Sequence, residues 1–509
     1  MNKPTVLIIL DGFGHAEASS GNAVALANMP FWRQLCTQYP TALLNASGDA
    51  VGLLPGSVGN SEAGHMTLGA GRVVPSALLH FDQLLEQGLI ATSPVLHDCL
   101  AKLKPGTRIH LLGLVSNGGV HSDERHLHAL LKIIIAYTTA DIFIHPILDG
   151  RDVLPSSAEE YLVRLELVCK TLGRGSIASI QGRFYGMDRD HNEERTSVAV
   201  RMLLGQVPVI ASTWRDVLEK SYKHEVTDEF IVPMLFSQEA SMKAGDGVIF
   251  FNTRPDRARQ ITDALLSVEK TGVPLAFFLT PVYYDPAFAH RNNQALFEQP
   301  VLNDTLLHVL AQQKKKVFVI AETEKYAHVT YFFQGLHEEA LSGQERVLIP
   351  SLKLKNYVAH PEMAAHQITS TLIKSLRSHP AFFYVVNFAN ADMVGHSGNV
   401  QATSKACEII DQQLALLYHE VVVLAGGVLC VTADHGNAEC KKNSEGHMIT
   451  AHTKNPVPFV LAGKHFKLKH MQSAPFGKLS EWGLASVAPT LLWAMRQEIP
   501  EGMGEKIKL

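Results

Sequence analysis

Unbroken apolar runs of strand length alternate along this chain with stretches whose apolar residues recur every three or four positions. Thr5-Val6-Leu7-Ile8-Ile9-Leu10, Ile109 to Leu114, Ile142 to Ile147, Val248 to Phe251, Pro274 to Leu279, Phe382-Phe383-Tyr384-Val385-Val386, Val428-Leu429-Cys430-Val431 and Val457-Pro458-Phe459-Val460-Leu461 are the runs. Their length and lack of polar alternation predict buried strands. Helical spacing appears between them. Ser156-Ser157-Ala158-Glu159 reads as a capping box ahead of Tyr161, Leu162, Leu165 and Val168, and Ser122 precedes Leu127, Leu130, Leu131 and Ile134. Alternation of this kind throughout a chain predicts an α/β fold.

Several runs end in the same chemistry. Leu10 is followed by Asp11-Gly12, and the run at 428 ends in Asp434-His435-Gly436-Asn437. The run at 382 passes through Asn387 into Asp392-Met393-Val394-Gly395-His396, and His452 stands just ahead of the run at 457. Open α/β sheets bind ligands beyond the carboxyl ends of their strands. One acid or histidine there is an ordinary cap or a satisfied core side chain. The recurrence is hard to explain that way. An oxygen-plus-nitrogen set of this type suits Mn²⁺ or Zn²⁺ rather than a soft metal.

Length changes the picture, because 509 residues exceed what one core holds, so two or more domains are expected. A 46% hydrophobic and 18% charged composition is that of an ordinary globular protein, and a net charge of −4 speaks against a nucleic-acid partner. No apolar stretch reaches the roughly 18 residues of a membrane span, and the run Val6 to Leu10 is too short for a signal segment. Neither a membrane nor a secreted location is therefore expected. Cys36, Cys99, Cys169, Cys407, Cys430 and Cys440 have no CxxC spacing and read as free thiols of a reducing cytoplasm.

The chemistry is unevenly distributed. Metal-type residues lie before residue 70 and after 390. The middle carries Arg151, Arg183, Arg189, Arg254 and Arg257, in stretches such as Gly182-Arg183-Phe184-Tyr185-Gly186-Met187-Asp188-Arg189-Asp190 and Asn252-Thr253-Arg254-Pro255-Asp256-Arg257. One domain interrupted by another accounts for this, with residues 1–75 and 310–509 forming the first and 76–309 the second. Arginine forks match phosphate and carboxylate oxygens. A solvated, salt-bridged surface is the plainer reading of each cluster alone. Gly59-Asn60-Ser61-Glu62-Ala63-Gly64-His65 reads either as a turn in which Asn60 or Ser61 caps a helix, or, if two cations lie beside it, as a loop presenting a serine nucleophile.

Together with Gly118-Gly119-Val120-His121-Ser122, Asp149-Gly150-Arg151-Asp152 and Ala321-Glu322-Thr323-Glu324-Lys325-Tyr326, these motifs make essentially the whole chain resemble the cofactor-independent (2,3-bisphosphoglycerate-independent) phosphoglycerate mutases of the alkaline phosphatase superfamily. The resemblance implies two α/β domains, an alkaline-phosphatase-like domain interrupted by an inserted phosphotransferase domain. It implies that 3-phosphoglycerate and 2-phosphoglycerate are interconverted, a step of glycolysis and gluconeogenesis, through a phosphoserine on Ser61. One Mn²⁺ would be held by Asp392, His396 and His452, and a second by Asp11, Ser61, Asp434 and His435, with Co²⁺ or Zn²⁺ as possible substitutes. His121, Arg151, Asp152, Arg183, Arg189, Arg254, Arg257 and Lys325 would bind the substrate, and Asp152 would move protons or orient Arg151. A cytoplasmic monomer is expected. Asn117 and Asp123 stand where the family commonly has Asp and His, and His191-Asn192-Glu193-Glu194-Arg195 where it has a basic residue and Trp. A phosphopentomutase or phosphatase could share the metal residues but not His121, Arg151 and Asp152. A metal-binding scaffold without turnover would have no use for Ser61 beside the cations.

Overall fold

The structure, a computed structural model, describes residues 3–189, 191–299, 301–354, 356–472, 476–477 and 479–508, so that Asp190 of the arginine-bearing stretch lies outside it. The α/β expectation is borne out. The chain forms two compact units, Met1–Ser76 with Val301–Leu509, and Ala77–Pro300. The second division falls at 300 rather than 310 because Leu306–Gln312 is a helix whose Leu306, Leu307 and Leu310 lie in the first unit's core.

The discontinuous unit is built on a seven-stranded sheet in the order Gln344–Ile349, Val317–Glu322, Phe383–Phe388, Thr5–Leu10, Val428–Thr432, Val457–Gly463, Thr41–Leu44. The first five strands run parallel, with Ile8 opposite Val386 on one side and Val431 on the other. Val457–Gly463 runs antiparallel to both its neighbours. Helices Pro30–Gln38, Ala365–Ser378 and Val400–Tyr418 contribute Leu35, Ile368, Leu372, Ile410 and Leu414 to one core with these strands. Every residue of Thr5–Leu10 is buried, which explains its unbroken apolar run. Truncating Ile8 to alanine there would cost about 2–5 kcal/mol.

The continuous unit carries its own sheet, ordered Asn293–Ala295, Phe277–Thr280, Gly247–Phe250, Arg108–Leu114, Asp141–Leu148, Ser179–Gly182, Met234–Leu235, with Ser176–Ile177 beside Asp141–Leu148. All pairings are parallel except the last. Successive residues serve opposite faces, as the pleat requires. Leu111 and Ile249 pack with Leu127, Leu130 and Ile134 of the helix Glu124–Tyr137. Leu112, Val248 and Phe250 pack with Met202, Ile261 and Leu265.

Two helix starts differ from their sequence reading. Ser157 precedes Ala158–Leu172 but makes no side-chain cap. Asp228 does that work instead, accepting from the Ser157 and Ala158 amides at 2.8 and 2.9 Å. Ser122 donates to the Leu114 carbonyl, and Asp123 is the cap of the following helix. Asn117 accepts from the Tyr161 hydroxyl at 2.8 Å. Among the described residues no helix is long and apolar enough to cross a membrane.

Candidate active site

In the discontinuous unit the functional side chains collect where the parallel strands end. Asp11 follows Thr5–Leu10, Lys325 follows Val317–Glu322, Asp392 lies on the helix Asn390–Gly395 after Phe383–Phe388, and Asp434 and His435 follow Val428–Thr432. The antiparallel strand Val457–Gly463 begins where its parallel neighbour ends, so the loop ahead of it brings His452 to the same edge. Gly12, at φ +69°, has no room for a side chain, because a Cβ would stand 2.7 Å from the Asp392 Cα. Ser61 opens the helix Ser61–Ala70, capped by Asn60. The helix packs backbone to backbone on the Asp434 loop, since a Cβ on Gly64 would meet the Asp434 carbonyl at 2.4 Å.

Two groups of ligand atoms result. Asp392 Oδ1 lies 3.4 Å from His396 Nε2 and 3.2 Å from His452 Nε2, and the two nitrogens are 3.1 Å apart. His396 Nδ1 and His452 Nδ1 each meet a backbone carbonyl, of Thr450 and of Gly59, at 2.9 Å. Those bonds take the Nδ1 protons and turn both Nε2 lone pairs toward the carboxylate. Three ligand atoms so placed could hold a cation. Their spacing matches the about 3.3 Å between ligands that hold a metal at roughly 2.0–2.1 Å. Burial opposes a charge on His452, yet Asp392 overrides it and raises its pKa. A proton there does part of what a metal would do.

The second group is Asp11, Asp434 and His435, with Ser61 against it. His435 Nε2 is 3.5 Å from Asp11 Oδ1 and 3.4 Å from Asp434 Oδ2, and Ser61 Oγ is 2.9 Å from His435 Nε2 and 3.3 Å from Asp11 Oδ1. His435 Nδ1 donates to the Gly436 carbonyl at 3.2 Å, again freeing Nε2. Burial pushes the His435 imidazole down to about 3, so it presents a lone pair. Burial and the nearby Asp434 carboxylate push Asp11 up to about 7 against the pull of Lys325. Three buried carboxylates around one ammonium form a site that demands more positive charge.

Lys325 sits between the two groups. Its Nζ is 2.6 Å from Asp11 Oδ1, 2.7 Å from Asp392 Oδ2 and 2.8 Å from Ser61 Oγ. Burial works against its charge, but the three carboxylates hold it well above the ordinary lysine range. The resemblance makes Lys325 a substrate-binding residue. The structure places it against the nucleophile candidate. Glu439, which the sequence reading passed over, ties the loops together. Its carboxylate accepts from the Gly14 and Asn437 amides at 3.0 and 2.9 Å, from Asn455 Nδ2 at 2.9 Å, and from the Thr453 hydroxyl.

The continuous unit does the same with opposite charge. His121 follows Arg108–Leu114, Arg151 and Asp152 follow Asp141–Leu148, Arg183 follows Ser179–Gly182, and Arg254 and Arg257 follow Gly247–Phe250. Arg108–Leu114 and Gly247–Phe250 are neighbours from which the later strands proceed in opposite directions, the crevice position favoured for ligands in such sheets. Arg183, 3% exposed, donates to Asp149 at 2.6 Å and to Asp152 at 2.5 Å. Asp152 thus orients Arg183 rather than Arg151, whose side chain is 55% exposed and 3.4 Å from Glu229. Asp256 meets Arg254 at 3.0 Å, Arg189 at 3.1 Å and His121 at 3.7 Å. Burial, then Arg254, push His121 well below its usual range. Burial and the fields of Arg189, Arg183 and Arg151 lower Arg257 to about 10. Cations crowded to that degree attract an anion.

The description "Metalloenzyme superfamily" fits residues 3–498 of the chain. A 2,3-bisphosphoglycerate-independent phosphoglycerate mutase of Acaryochloris marina is 40% identical over 508 residues, covering 98% of this chain and 94% of that one. One from a Synechococcus strain is 43% identical over 497 residues, covering 96% and 92%. Among solved structures, a Leishmania mexicana phosphoglycerate mutase studied at low cobalt concentration superposes with a TM-score of 0.81 at 28% identity, over 99% of this chain and 97% of its own.

Proposed function

The chain belongs to the metalloenzyme superfamily and, within it, to the 2,3-bisphosphoglycerate-independent phosphoglycerate mutases, isomerases that interconvert 3-phosphoglycerate and 2-phosphoglycerate, and from that premise we propose how its residues divide the work. Ser61 is the nucleophile. Its Oγ gives up its proton as it bonds to phosphorus, and the bond from phosphorus to the glycerate 3-oxygen breaks as that oxygen takes up a proton, giving a phosphoserine and dephosphorylated glycerate. The glycerate 2-hydroxyl then attacks the phosphoserine, and Ser61 is released. Lys325 Nζ, already donating to Ser61 Oγ, neutralises charge on the serine oxygen and on the transferring group, the main demand of phosphoryl transfer. The amino end of the helix Ser61–Ala70 favours the phosphoserine anion.

His121, Arg151, Arg183, Arg189, Arg254 and Arg257 hold the glycerate carboxylate and hydroxyls, so that the intermediate stays bound between the two transfers. Asp152, paired with Arg183, moves the proton between the glycerate hydroxyls. Two divalent cations, Mn²⁺ by preference with Co²⁺ or Zn²⁺ as substitutes, bind at Asp392, His396 and His452 and at Asp11, Ser61, Asp434 and His435. What such cations supply is charge against the phosphoryl oxygens and a lower pKa for the serine hydroxyl. The working form is a monomer in the cytoplasm, in keeping with six free cysteines, five of them buried.

The observation that carries this reading is the position of Ser61 Oγ, between 2.8 and 3.3 Å from Lys325 Nζ, His435 Nε2 and Asp11 Oδ1 at the start of a helix. The test strips the protein of metal, restores Mn²⁺, and supplies 3-phosphoglycerate without bisphosphoglycerate, following 2-phosphoglycerate and free phosphate together. Metal-dependent 2-phosphoglycerate with little free phosphate is expected. Free phosphate alone would make Ser61 the nucleophile of a phosphatase and overturn the proposed retention of glycerate.

A further inference from the structure

Two asparagines stand behind the ligand carboxylates. Asn387 is fully buried in the strand Phe383–Phe388, and Asn437 is fully buried after His435. Asn387 Nδ2 donates to Asp11 Oδ2 at 2.8 Å, the oxygen other than the one nearest Ser61, and to His65 Nε2 at 3.0 Å. Asn437 Nδ2 donates to Asp392 Oδ1 at 2.7 Å.

The sense of each amide is imposed from behind. His65 Nδ1 meets the Ser61 carbonyl at 2.8 Å, with Asp434 Oδ2 at 3.2 Å. That nitrogen faces two oxygens and Nε2 faces Asn387 Nδ2, whose other contact is the Asp11 carboxylate, so the amide turns its N–H groups inward. Lys441 is also fully buried. Its ammonium donates to Asn437 Oδ1 and to the Gly395 carbonyl, the latter at 3.1 Å. An ammonium has no lone pair, so Asn437 must give it the oxygen and present its N–H to Asp392. Through Gly395 the same lysine steadies the end of the helix that leads to His396.

We propose that Asn387 and Asn437 are positioning residues, one for each group: Asn387, backed by His65, aims Asp11 in the group beside Ser61, and Asn437, backed by Lys441, aims Asp392 toward His396 and His452. The inference rests on the two-cation reading above and adds a one-to-one assignment of outer residues to groups. Outer-shell partners of this kind are worth about 10–100-fold in metal affinity.

The test resolves the two groups by position and does not depend on turnover. Crystals of the parent protein, Asn387→Ala and Asn437→Ala are equilibrated in a graded Mn²⁺ series, and anomalous scattering gives the occupancy at each group. Asn387→Ala is expected to raise the half-saturating Mn²⁺ concentration of the Asp11 group about 10–100-fold and leave the Asp392 group near the parent value. Asn437→Ala is expected to do the reverse. His65→Leu and Lys441→Met keep the amides but remove their backing, and should shift the same groups by less, so the assignment stays testable if an alanine variant does not fold. Equal shifts at both groups, no shift, or a shift at the opposite group would overturn it. A parent protein with no ion at one group would overturn the two-cation reading and this inference together.

Discussion

The two units place function at the same point of the same architecture and give it opposite charge. In each, a mostly parallel sheet is covered on both faces, and the functional side chains follow its strands. In the discontinuous unit those side chains are carboxylates and imidazoles around one lysine. In the continuous unit they are guanidiniums steadied by Asp149, Asp152 and Asp256. The fold supplies the place and the loops supply the chemistry. On the proposed roles, changes at Ser61 and Lys325 of the first unit should act on kcat, and changes at the binding arginines of the second should act on KM.

The largest effect should come from Ser61→Ala. Its mutase activity should fall by at least about 10⁴-fold, the scale on which loss of a nucleophile acts, with metal content near the parent value by elemental analysis. Substantial activity in that variant would end the covalent reading. Lys325→Met should lower kcat about 10²–10³-fold. It also leaves Asp11 and Asp392 buried without their cation, so the metal-free protein should lose about 3–5 kcal/mol, and added Mn²⁺ should recover part of that in a thermal melt. Recovery by salt alone would mean that the two carboxylates need only general screening and not a bound cation.

In the other unit, Arg257→Gln should raise KM about 10–100-fold, the value of a hydrogen bond to a charged group, while kcat changes less. A fall in kcat at unchanged KM would break the division between the units. The smallest effect is expected from Asp228→Ala. Removing the remote cap of Ala158–Leu172 should cost about 1 kcal/mol in denaturant unfolding and leave kcat unchanged.

How far the sequence could be read depended on how local each feature is. Strands buried on both faces announce themselves as unbroken apolar runs, and acids or histidines at their ends are visible in the same window. The hidden features depend on contacts between distant residues. Asp228 caps a helix some 70 residues earlier, so no pattern around Ser156 could reveal it. The pairing of Asp152 with Arg183 rather than its neighbour Arg151 depends on two adjacent strands. Lys325 could be named only through the family resemblance, and its place beside Ser61 came from the fold. A finer reading could have found two residues. His65 is four positions after Ser61 and so shares its helix face, and Asn387 is a polar residue in a run where both faces are buried.

The order in which partners meet has a consequence for how the protein is made. Thr5–Leu10 occupies the middle of its sheet, but its partners on either side, Phe383–Phe388 and Val428–Thr432, follow it by about 380 residues or more. At a synthesis rate of about 5–20 residues per second, the nascent strand waits roughly 20–75 seconds for its first neighbour, an uncharged hydrophobic hexapeptide with both edges open. Over the same interval the continuous unit has emerged complete and can fold. Newly made chains should therefore be most aggregation-prone after the inserted unit has folded and before residue 383 leaves the ribosome, and a chaperone that shields the first dozen residues should have its greatest effect then.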